Sequence, residues 1–237
     1  MKRIVVVLSI LIAFILVGAA LTLFGIWIPN YPSRSAFPVR GVDISHHQGA
    51  IRWNQISSSE VHFAYIKATE GADFHDNDFA QNWSEAKKAG IAVGAYHFYT
   101  LGTPGRRQAA NFIATVPIDS TALPPAIDLE ISGYNRTHTE AVPEFQRELS
   151  AFIAAVSAHF RKTPVIYTTS DFQKDYLSGL ALDRFWIREV IVKPRTTWSF
   201  WQFSARGRVR GVRGFVDLNV FRGTRAEFEE FRASSLP

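Results

Sequence analysis

Short apolar segments alternate with helical segments from residue 39 to the end of the chain, and this alternation limits the possible folds more than any other feature. Segments 78–89, 104–115, 139–160 and 225–232 have the spacing and end residues of helices. Strands and helices that alternate in this way predict an α/β protein, a parallel (β/α) barrel of the TIM-barrel type. The eight predicted strands are 39–44, 61–68, 91–99, 125–130, 164–168, 184–187, 200–203 and 215–218.

The composition excludes several classes of protein. The chain has 237 residues, of which 47% are hydrophobic and 20% charged, so it can form one complete core and is unlike a disordered protein. It contains no cysteine, which excludes disulfide bonds, thiolate metal sites and catalytic thiols. The net charge of +5 permits an anionic partner. No nucleic-acid-binding module is recognisable, so nucleic acid is not an expected partner.

The N-terminus has the pattern of a membrane segment. Lys2 and Arg3 precede an apolar run over residues 4–28, which is longer than the core of about 7–15 residues in a cleaved signal peptide and long enough to cross a bilayer. An uncleaved anchor is therefore favoured, and cleavage near Gly18-Ala19-Ala20 is the alternative. The basic end stays in the cytoplasm, which places the rest of the protein on the periplasmic or extracellular side, anchored or secreted.

These patterns divide the chain into three parts. Residues 1–28 are the anchor or signal segment, residues 29–38 are a proline-rich tether, and residues 39–237 are the catalytic barrel. The C-terminal third of the barrel is basic, which predicts a positive rim that attracts anionic polymers, although the run 206–213 also fits a solvated turn. The basic residues are Arg184, Arg188, Lys193, Arg195, Arg206, Arg208, Arg210 and Arg213.

Acidic residues stand at the ends of three predicted strands, where barrel enzymes carry their chemistry. Asp128 and Glu130 are two positions apart, so both side chains point to the same face, with Cα atoms about 6.6 Å apart. Two carboxyl groups this close raise the pKa of one of them, as a general acid requires. Together with Asp43 and Asp217, the pair predicts an active site that cleaves glycosidic bonds.

Further polar and aromatic residues near the strand ends are candidates for substrate contacts, because flat aromatic side chains stack on the apolar faces of sugars. Phe63, Phe98 and Phe203 are instead expected in the core. The predicted substrate-binding residues are Tyr65, Lys67, Glu70, Tyr96, Tyr167, Trp201, Gln202 and Asn219.

Two other functions use the same residues. A metal-dependent polysaccharide deacetylase would draw ligands from the acids and from His46, His47 and His97, but no histidine pair has the spacing of a helical metal motif. No metal or cofactor is therefore expected, and a hydrogen-bonded core position is the simpler explanation of His97. A membrane-tethered protein that binds glycans without turnover is the non-enzymatic alternative.

Seven motifs follow one another along residues 41–223. They are 41–45 (GVDIS) with Gln48-Gly49 and Trp53, 63–71 (FAYIKATEG), 94–98 (GAYHF), 123–130 (LPPAIDLE), 165–168 (VIYT), 201–204 (WQFS) and 216–219 (VDLN). In this order they resemble the motifs of the glycoside hydrolase family 25 lysozymes. The resemblance implies a modified (β/α) barrel and N-acetylmuramidase activity, which cleaves the β-1,4 bond between N-acetylmuramic acid and N-acetylglucosamine in peptidoglycan.

The resemblance also implies residue roles. Glu130 corresponds to the proton donor, and Asp128, Asp43 and Asp217 correspond to the other acids of the active site. Asp128 either attacks the sugar directly or orients the substrate's own 2-acetamido group for attack. One stretch departs from the family: after 185–187 (FWI) a small residue and soon an aromatic one are usual, whereas this chain has 188–194 (REVIVKP). Substrate contacts near this strand end are expected to differ.

Overall fold

The computed structural model describes residues 2–138 and 140–235 of the chain. Its α-helices are α1 Lys2–Leu23, α2 Phe79–Lys88, α3 Gly105–Thr115, α4 Val142–Phe160, α5 Ser170–Tyr176 and α6 Arg225–Ala233. Its strands are β1 Arg40–Ile44, β2 Phe63–Glu70, β3 Phe74–His75, β4 Ala92–Phe98, β5 Ala126–Leu129, β6 Val165–Thr169, β7 Phe185–Arg188, β8 Phe200–Gly207 and β9 Val216–Phe221.

The strands close into a barrel, which confirms the predicted fold class. The order β1-β2-β4-β5-β6-β7-β8-β9 returns to β1, and β3 only extends the edge of β2. Neighbours from β1 to β8 are parallel, but β9 is antiparallel to both β8 and β1. A fully parallel barrel is therefore wrong at its last strand. The physical reason is the short connection 208–215 between β8 and β9, which forms a hairpin, whereas a parallel pair needs a longer crossover.

Helical periodicity explains how the outer layer packs on the barrel. Phe145, Leu149, Phe152 and Val156 of α4 recur at helical spacing, and all four side chains are buried against the outside of the barrel. A proline is accommodated in the first turn of α4. The predicted helix 139–160 begins at Val142 instead, and Thr139 lies outside the described residues.

The inside of the barrel is apolar at the end where the parallel strands begin. Phe63, Phe200 and Phe221 pack edge to face or tilted there, with ring centroids of neighbouring pairs 5.1 and 5.3 Å apart. Gly41 of β1 lies against the Phe63 ring, where a Cβ atom would come within 2.4 Å of it. Phe228 of α6 covers this end of the barrel, 5.6 Å from Phe63 and 5.3 Å from Phe221. This end is therefore a closed aromatic core.

The N-terminal helix projects from the barrel. The segment Arg3–Leu23 of α1 has a mean hydropathy of 3.2 and none of its residues are buried, and its length and composition suffice to cross a membrane. Residues 29–38, which the sequence predicts as a proline-rich tether, contact the barrel at several points. Tyr31 contacts the Phe203 ring edge to face, at 5.3 Å, and the Arg40 guanidinium donates to the carbonyl of Pro32.

Candidate active site

A cleft of about 590 Å³ opens at the carboxyl ends of the parallel strands. Its wall brings together the four acids that the sequence predicts, Asp43, Asp128, Glu130 and Asp217. Asp43 and Asp217 are direct register partners on β1 and β9. The sequence predicts Asp217 near the carboxyl end of its strand, but in the structure Asp217 is the second residue of β9. Asp217 still reaches the cleft, because β9 is antiparallel and therefore begins where the other strands end.

A chain of hydrogen bonds holds Asp43 in place. Gln202 Nε2 and Asn219 Nδ2 both donate to Asp43 Oδ1, at 3.0 and 2.6 Å. The Tyr167 hydroxyl donates to Gln202 Oε1 at 3.0 Å, and Trp186 Nε1 donates to Asn219 Oδ1 at 2.8 Å. These bonds join β6, β7, β8, β9 and β1, so they fix the orientation of the carboxyl group across half of the barrel.

Burial makes three acids of the cleft, Asp43, Asp128 and Asp217, unusually weak. It raises the pKa of Asp43 to about 6, against hydrogen bonds that favour the charged form. Burial also raises the pKa of Asp128 well above its usual range, and the neighbouring Glu130 charge adds to this effect. The pKa of Asp217 is raised well above its usual range by burial first and by the Asp43 charge second. The expected rise in the pKa of a paired carboxyl is thus present at Asp128.

Glu130 is the more accessible member of the Asp128–Glu130 pair, since it is half-buried whereas Asp128 is buried. It follows β5 directly, and its Oε1 accepts a hydrogen bond from Ser132 Oγ at 2.7 Å. Its backbone carbonyl accepts from Asn135 Nδ2 at 3.0 Å. Asn135 is itself buried and also binds the backbone of Tyr99 and Leu101. The loop after β5 is therefore held firmly enough to aim the Glu130 side chain into the cleft.

Aromatic side chains form one wall of the cleft. Tyr96 and Tyr167 line it, as the sequence predicts, and Trp186 lines it as well, which the prediction missed. The Trp186 and Tyr167 rings contact each other at 4.8 Å, and they lie at paired positions of β6 and β7. The signal for Trp186 was present in the alternation of β7, because Trp186 and Arg188 share a face.

Two predicted substrate contacts, Tyr65 and Trp201, do not line the cleft. Tyr65 points into the barrel one layer below the cleft, where it is fully buried, stacks on Trp186 at 4.8 Å and donates to the carbonyl of Pro124. Trp201 is buried on the outside of the barrel, and its Nε1 donates to the carbonyl of Glu189. Trp201 precedes Gln202 by one residue, so strand alternation turns the two side chains to opposite faces.

Three other predicted substrate contacts do not line the cleft. Lys67 and Glu70 form an ion pair of 2.6 Å beside the cleft. The Lys67 charge also lowers the pKa of Asp128, against the effect of burial. Asn219 is buried behind Asp43 and serves to position it. Gln202 does line the cleft and also binds Asp43.

Of the three histidines considered as metal ligands, His97 and His46 are held by structural contacts, whereas His47 lines the cleft. His97 is fully buried between Thr69 Oγ1 and Gln108 Oε1, at 2.7 and 3.1 Å, and burial lowers its pKa to about 3. His46 pairs with Asp76 at 2.8 Å. Within residues 2–138 and 140–235, no three His, Asp or Glu side chains form a group that could hold a metal ion.

Arg188 lies in the cleft, although the sequence predicts it only as one of the basic residues of the C-terminal third. It ends β7 and lines the cleft, and its charge lowers the pKa of Asp43 and of Asp217. No carboxylate of the described part of the chain lies within ion-pair distance of its guanidinium. The wall of the cleft thus carries Arg188 and a second arginine, Arg136, beside several buried acids.

A (β/α) barrel whose strand ends bring several carboxyl groups into one open, aromatic-walled cleft is the architecture of a glycoside hydrolase. The comparisons with known proteins agree with this class. The chain belongs to glycosyl hydrolases family 25, whose sequence model matches residues 42–212. Asp217 and Asn219 lie beyond this match.

Similar proteins and structures support the family. Lysozyme M1 of Streptomyces globisporus is 35% identical over 203 residues, which are 79% of this chain and 69% of that protein. A family 25 glycosyl hydrolase from Bacillus anthracis has a TM-score of 0.80 and 35% identity, covering 86% of this chain and 97% of that chain. The bacterial lysozyme from Streptomyces coelicolor has a TM-score of 0.74 and 34% identity, covering 82% and 97%.

Proposed function

We propose that the protein is a peptidoglycan hydrolase, a muramidase that cleaves the β-1,4 bond between N-acetylmuramic acid and N-acetylglucosamine. The observation that carries this function is the gathering of Asp43, Asp128, Glu130 and Asp217 in one cleft of a family 25 barrel. The names of its relatives support the same reaction, since they include lysozyme M1, an autolytic lysozyme and N,O-diacetylmuramidases.

Glu130 is the proposed proton donor to the glycosidic oxygen. It is the acid of the Asp128–Glu130 pair that a sugar at the cleft mouth reaches first, and Ser132 and Asn135 restrain its position. As the bond breaks, positive charge develops on the sugar ring, and buried carboxylates stabilise it strongly because little water screens them. General acid catalysis of this kind typically contributes about 10²–10⁴-fold to the rate.

Asp128 is the proposed partner of the charged sugar. It lies deeper than Glu130, and its Oδ1 is buried without a hydrogen-bond partner among the described residues, so its capacity to accept a hydrogen bond is left for a bound substrate. Two roles follow: attack on the anomeric carbon, or acceptance of the N–H of the 2-acetamido group while the carbonyl oxygen of that group attacks. Trapping with a fluorinated glycoside that lacks the acetamido group separates them, because only direct attack leaves a sugar bound to Asp128.

Replacement of the two acids tests the assignment. Glu130→Gln should lower the release of reducing ends from purified peptidoglycan by about 10²–10⁴-fold, and it should recover on an aryl glycoside whose leaving group needs no proton. Asp128→Asn should stay impaired on both substrates. Glu60→Gln and Asp183→Asn make the same chemical changes at exposed sites and serve as controls.

Three outcomes would contradict the proposal. Wild-type turnover by the Glu130 variant would remove its role as the proton donor. Binding of peptidoglycan without release of reducing ends by the wild-type chain would indicate a glycan-binding protein. Release of acetate that stops on chelation would indicate a metal-dependent deacetylase.

We further infer that α1 anchors the enzyme in a membrane, with the barrel on the periplasmic or extracellular side. The length and hydropathy of α1 support this inference, as do the basic residues Lys2 and Arg3 at its start. The mass of the mature protein tests it: an intact chain that leaves the membrane fraction only with detergent is expected. A mature chain shortened by about the length of a signal peptide would show secretion instead.

A further inference from the structure

The end of α1 is fixed to the barrel. Arg206 Nη1 donates to the carbonyl of Leu23 at 2.7 Å, and Arg208 Nη2 donates to the carbonyl of Phe24 at 3.4 Å. Gly25 then turns the chain with a positive φ of 65°, at a point where a Cβ atom would come within 2.4 Å of the Arg206 carbonyl. A helix held by both its last carbonyl groups and its following turn keeps a defined position relative to β8.

The turn after α1 brings Trp27 back beside the last part of the helix. The backbone N–H groups of Ile26 and Trp27 both donate to the carbonyl of Leu21, and the Trp27 ring lies next to Gly18. Residues 4–23 of the helix span about 30 Å, which equals the hydrocarbon thickness of a bilayer. If α1 spans the membrane, Trp27 therefore lies at the membrane–water interface, where tryptophan is enriched.

A second apolar segment, residues 190–192, lies beside Trp27 and the end of α1. Val190, Ile191 and Val192 follow β7, and Ile191 is 75% exposed. Val190 and Ile191 line a pocket of about 460 Å³ together with Thr22, Trp27 and Arg206. Consecutive exposed aliphatic side chains are costly in water. Beside the exit of a membrane helix, they are positioned to enter lipid.

We propose that these residues form a surface that docks on the bilayer crossed by α1. This docking face consists of Trp27, Val190–Val192, Arg206 and Arg208. The aliphatic and tryptophan side chains enter the acyl boundary, and the two guanidinium groups face anionic phospholipid headgroups. The proposal rests on the proposed function of α1 as an anchor.

The docking face also sets the direction in which the catalytic cleft opens. Arg188 and Ala205 border both the cleft and the pocket beside α1, so the β7–β8 rim of the cleft lies next to the bilayer. The enzyme is placed to cut the layer of peptidoglycan nearest the membrane, whereas layers further out stay beyond its reach.

Single-cysteine labelling tests the docking face, because the chain has no cysteine of its own. Ile191→Cys and Ile118→Cys, at 75% and 70% exposure, form a matched pair. Ile118 precedes β5 and lies at the opposite end of the barrel from the cleft. Both full-length variants are spin-labelled and placed in vesicles of phosphatidylethanolamine and phosphatidylglycerol. Oxygen should relax the label at 191 more strongly than a water-soluble nickel chelate does, and the reverse should hold at 118.

The outcomes separate the anchor from the docking face. If the chain does not float with the vesicles, the anchor and the docking face both fail. If it floats but the label at 191 is as accessible to nickel as the label at 118, the docking face alone fails. If the label at 191 lies as deep in phosphatidylcholine vesicles as in those that contain phosphatidylglycerol, anionic headgroups are not needed for docking, and the proposed role of Arg206 and Arg208 is wrong. Protection of residue 191 by added peptidoglycan, and not by lipid, shows that the surface binds glycan instead.

Discussion

The two ends of the barrel interior are buried to similar extents and have opposite chemistry. At the end where the parallel strands begin, Phe63 and Phe200 are fully buried in an aromatic cluster. At the other end, Asp43 and Asp128 are each only 8% exposed, and both line the cleft. The same eight strands thus carry phenylalanine rings at one end and carboxyl groups at the other.

The difference separates stability from catalysis along the barrel axis. Burial of aromatic rings stabilises the fold, by about 1.5–3 kcal/mol for each large side chain. Burial of a carboxyl group costs free energy whenever the group is ionised, as the raised pKa of Asp43, Asp128 and Asp217 shows. The aromatic end offsets this cost, so the cleft retains acids that a region selected for stability alone would not contain.

The largest expected effect is at the aromatic end. Phe200→Ala should lower the free energy of unfolding by about 3–5 kcal/mol, because it leaves a cavity among rings that cannot fully close it. Urea denaturation of the full chain in detergent measures the loss, and kcat per folded molecule should stay unchanged. Phe74→Ala, at a 39% exposed ring, is the control and should cost about 1 kcal/mol or less. A loss of kcat without a loss of stability in the Phe200 variant would show that the aromatic end contributes to catalysis and not only to stability.

A smaller effect of opposite sign is expected at the acidic end. The pKa of Asp43 rises from 3.8 in the unfolded chain to about 6 in the folded one, so the folded state binds more protons and loses stability as the pH rises between these values. Asp43→Asn removes this loss and keeps an oxygen for Gln202 and Asn219. The variant should be more stable than wild type by up to about 3 kcal/mol above pH 6, and no more stable below pH 4.

The same variant should lose most of its activity, since the carboxylate is gone. Thermal unfolding across this pH range, with Asp183→Asn as the exposed control, measures the difference in stability. A variant that is less stable than wild type at pH 8 would mean that the hydrogen bonds to the charged form outweigh the cost of its burial.

The smallest effect is expected at Arg188, which joins the acidic end without being buried. Its charge lowers the pKa of Asp43 and Asp217, so Arg188→Gln should raise both values further. The pH–rate profile on peptidoglycan should move upward by less than about one pH unit, with kcat/KM changed about tenfold or less. Arg195→Gln removes an exposed charge outside the cleft and should leave the profile in place. If the pH–rate profile is the same in both variants as in the wild type, the Arg188 charge does not influence the acids that control activity.

The sequence predicts the barrel well because the strands are short and strongly apolar, and every predicted barrel strand overlaps an observed one. It also predicts that Asp43, Asp128, Glu130 and Asp217 meet, and the structure brings them into one cleft. Their individual catalytic roles stay predictions. The direction of β9 was not foreseen, because local periodicity does not encode which neighbour a strand pairs with.

Two aromatic side chains that the sequence predicts in the cleft lie outside it, for a physical reason. Proximity in sequence suggested that Trp201 joins Gln202 in the cleft, yet adjacent strand residues face opposite sides. Tyr65 faces the interior but lies one layer too deep, and depth along the barrel depends on register between strands. The proline-rich tether of residues 29–38 stays a prediction, and the structure adds that Tyr31 and Phe37 of this segment contact aromatic rings of the barrel.

The hairpin of β8 and β9 gives the barrel a direct mechanical link that a crossover helix would not provide. Arg208, which holds the end of α1, is only nine residues before Asp217 in the chain, and Gln202 lies on the same hairpin. If α1 is a membrane anchor, as proposed, a displacement of its end would act on Gln202 and Asp217 of the cleft through a single stretch of backbone. Lengthening the connection 208–215 by a few glycines is the way to slacken that link while leaving the closed seam of the barrel intact.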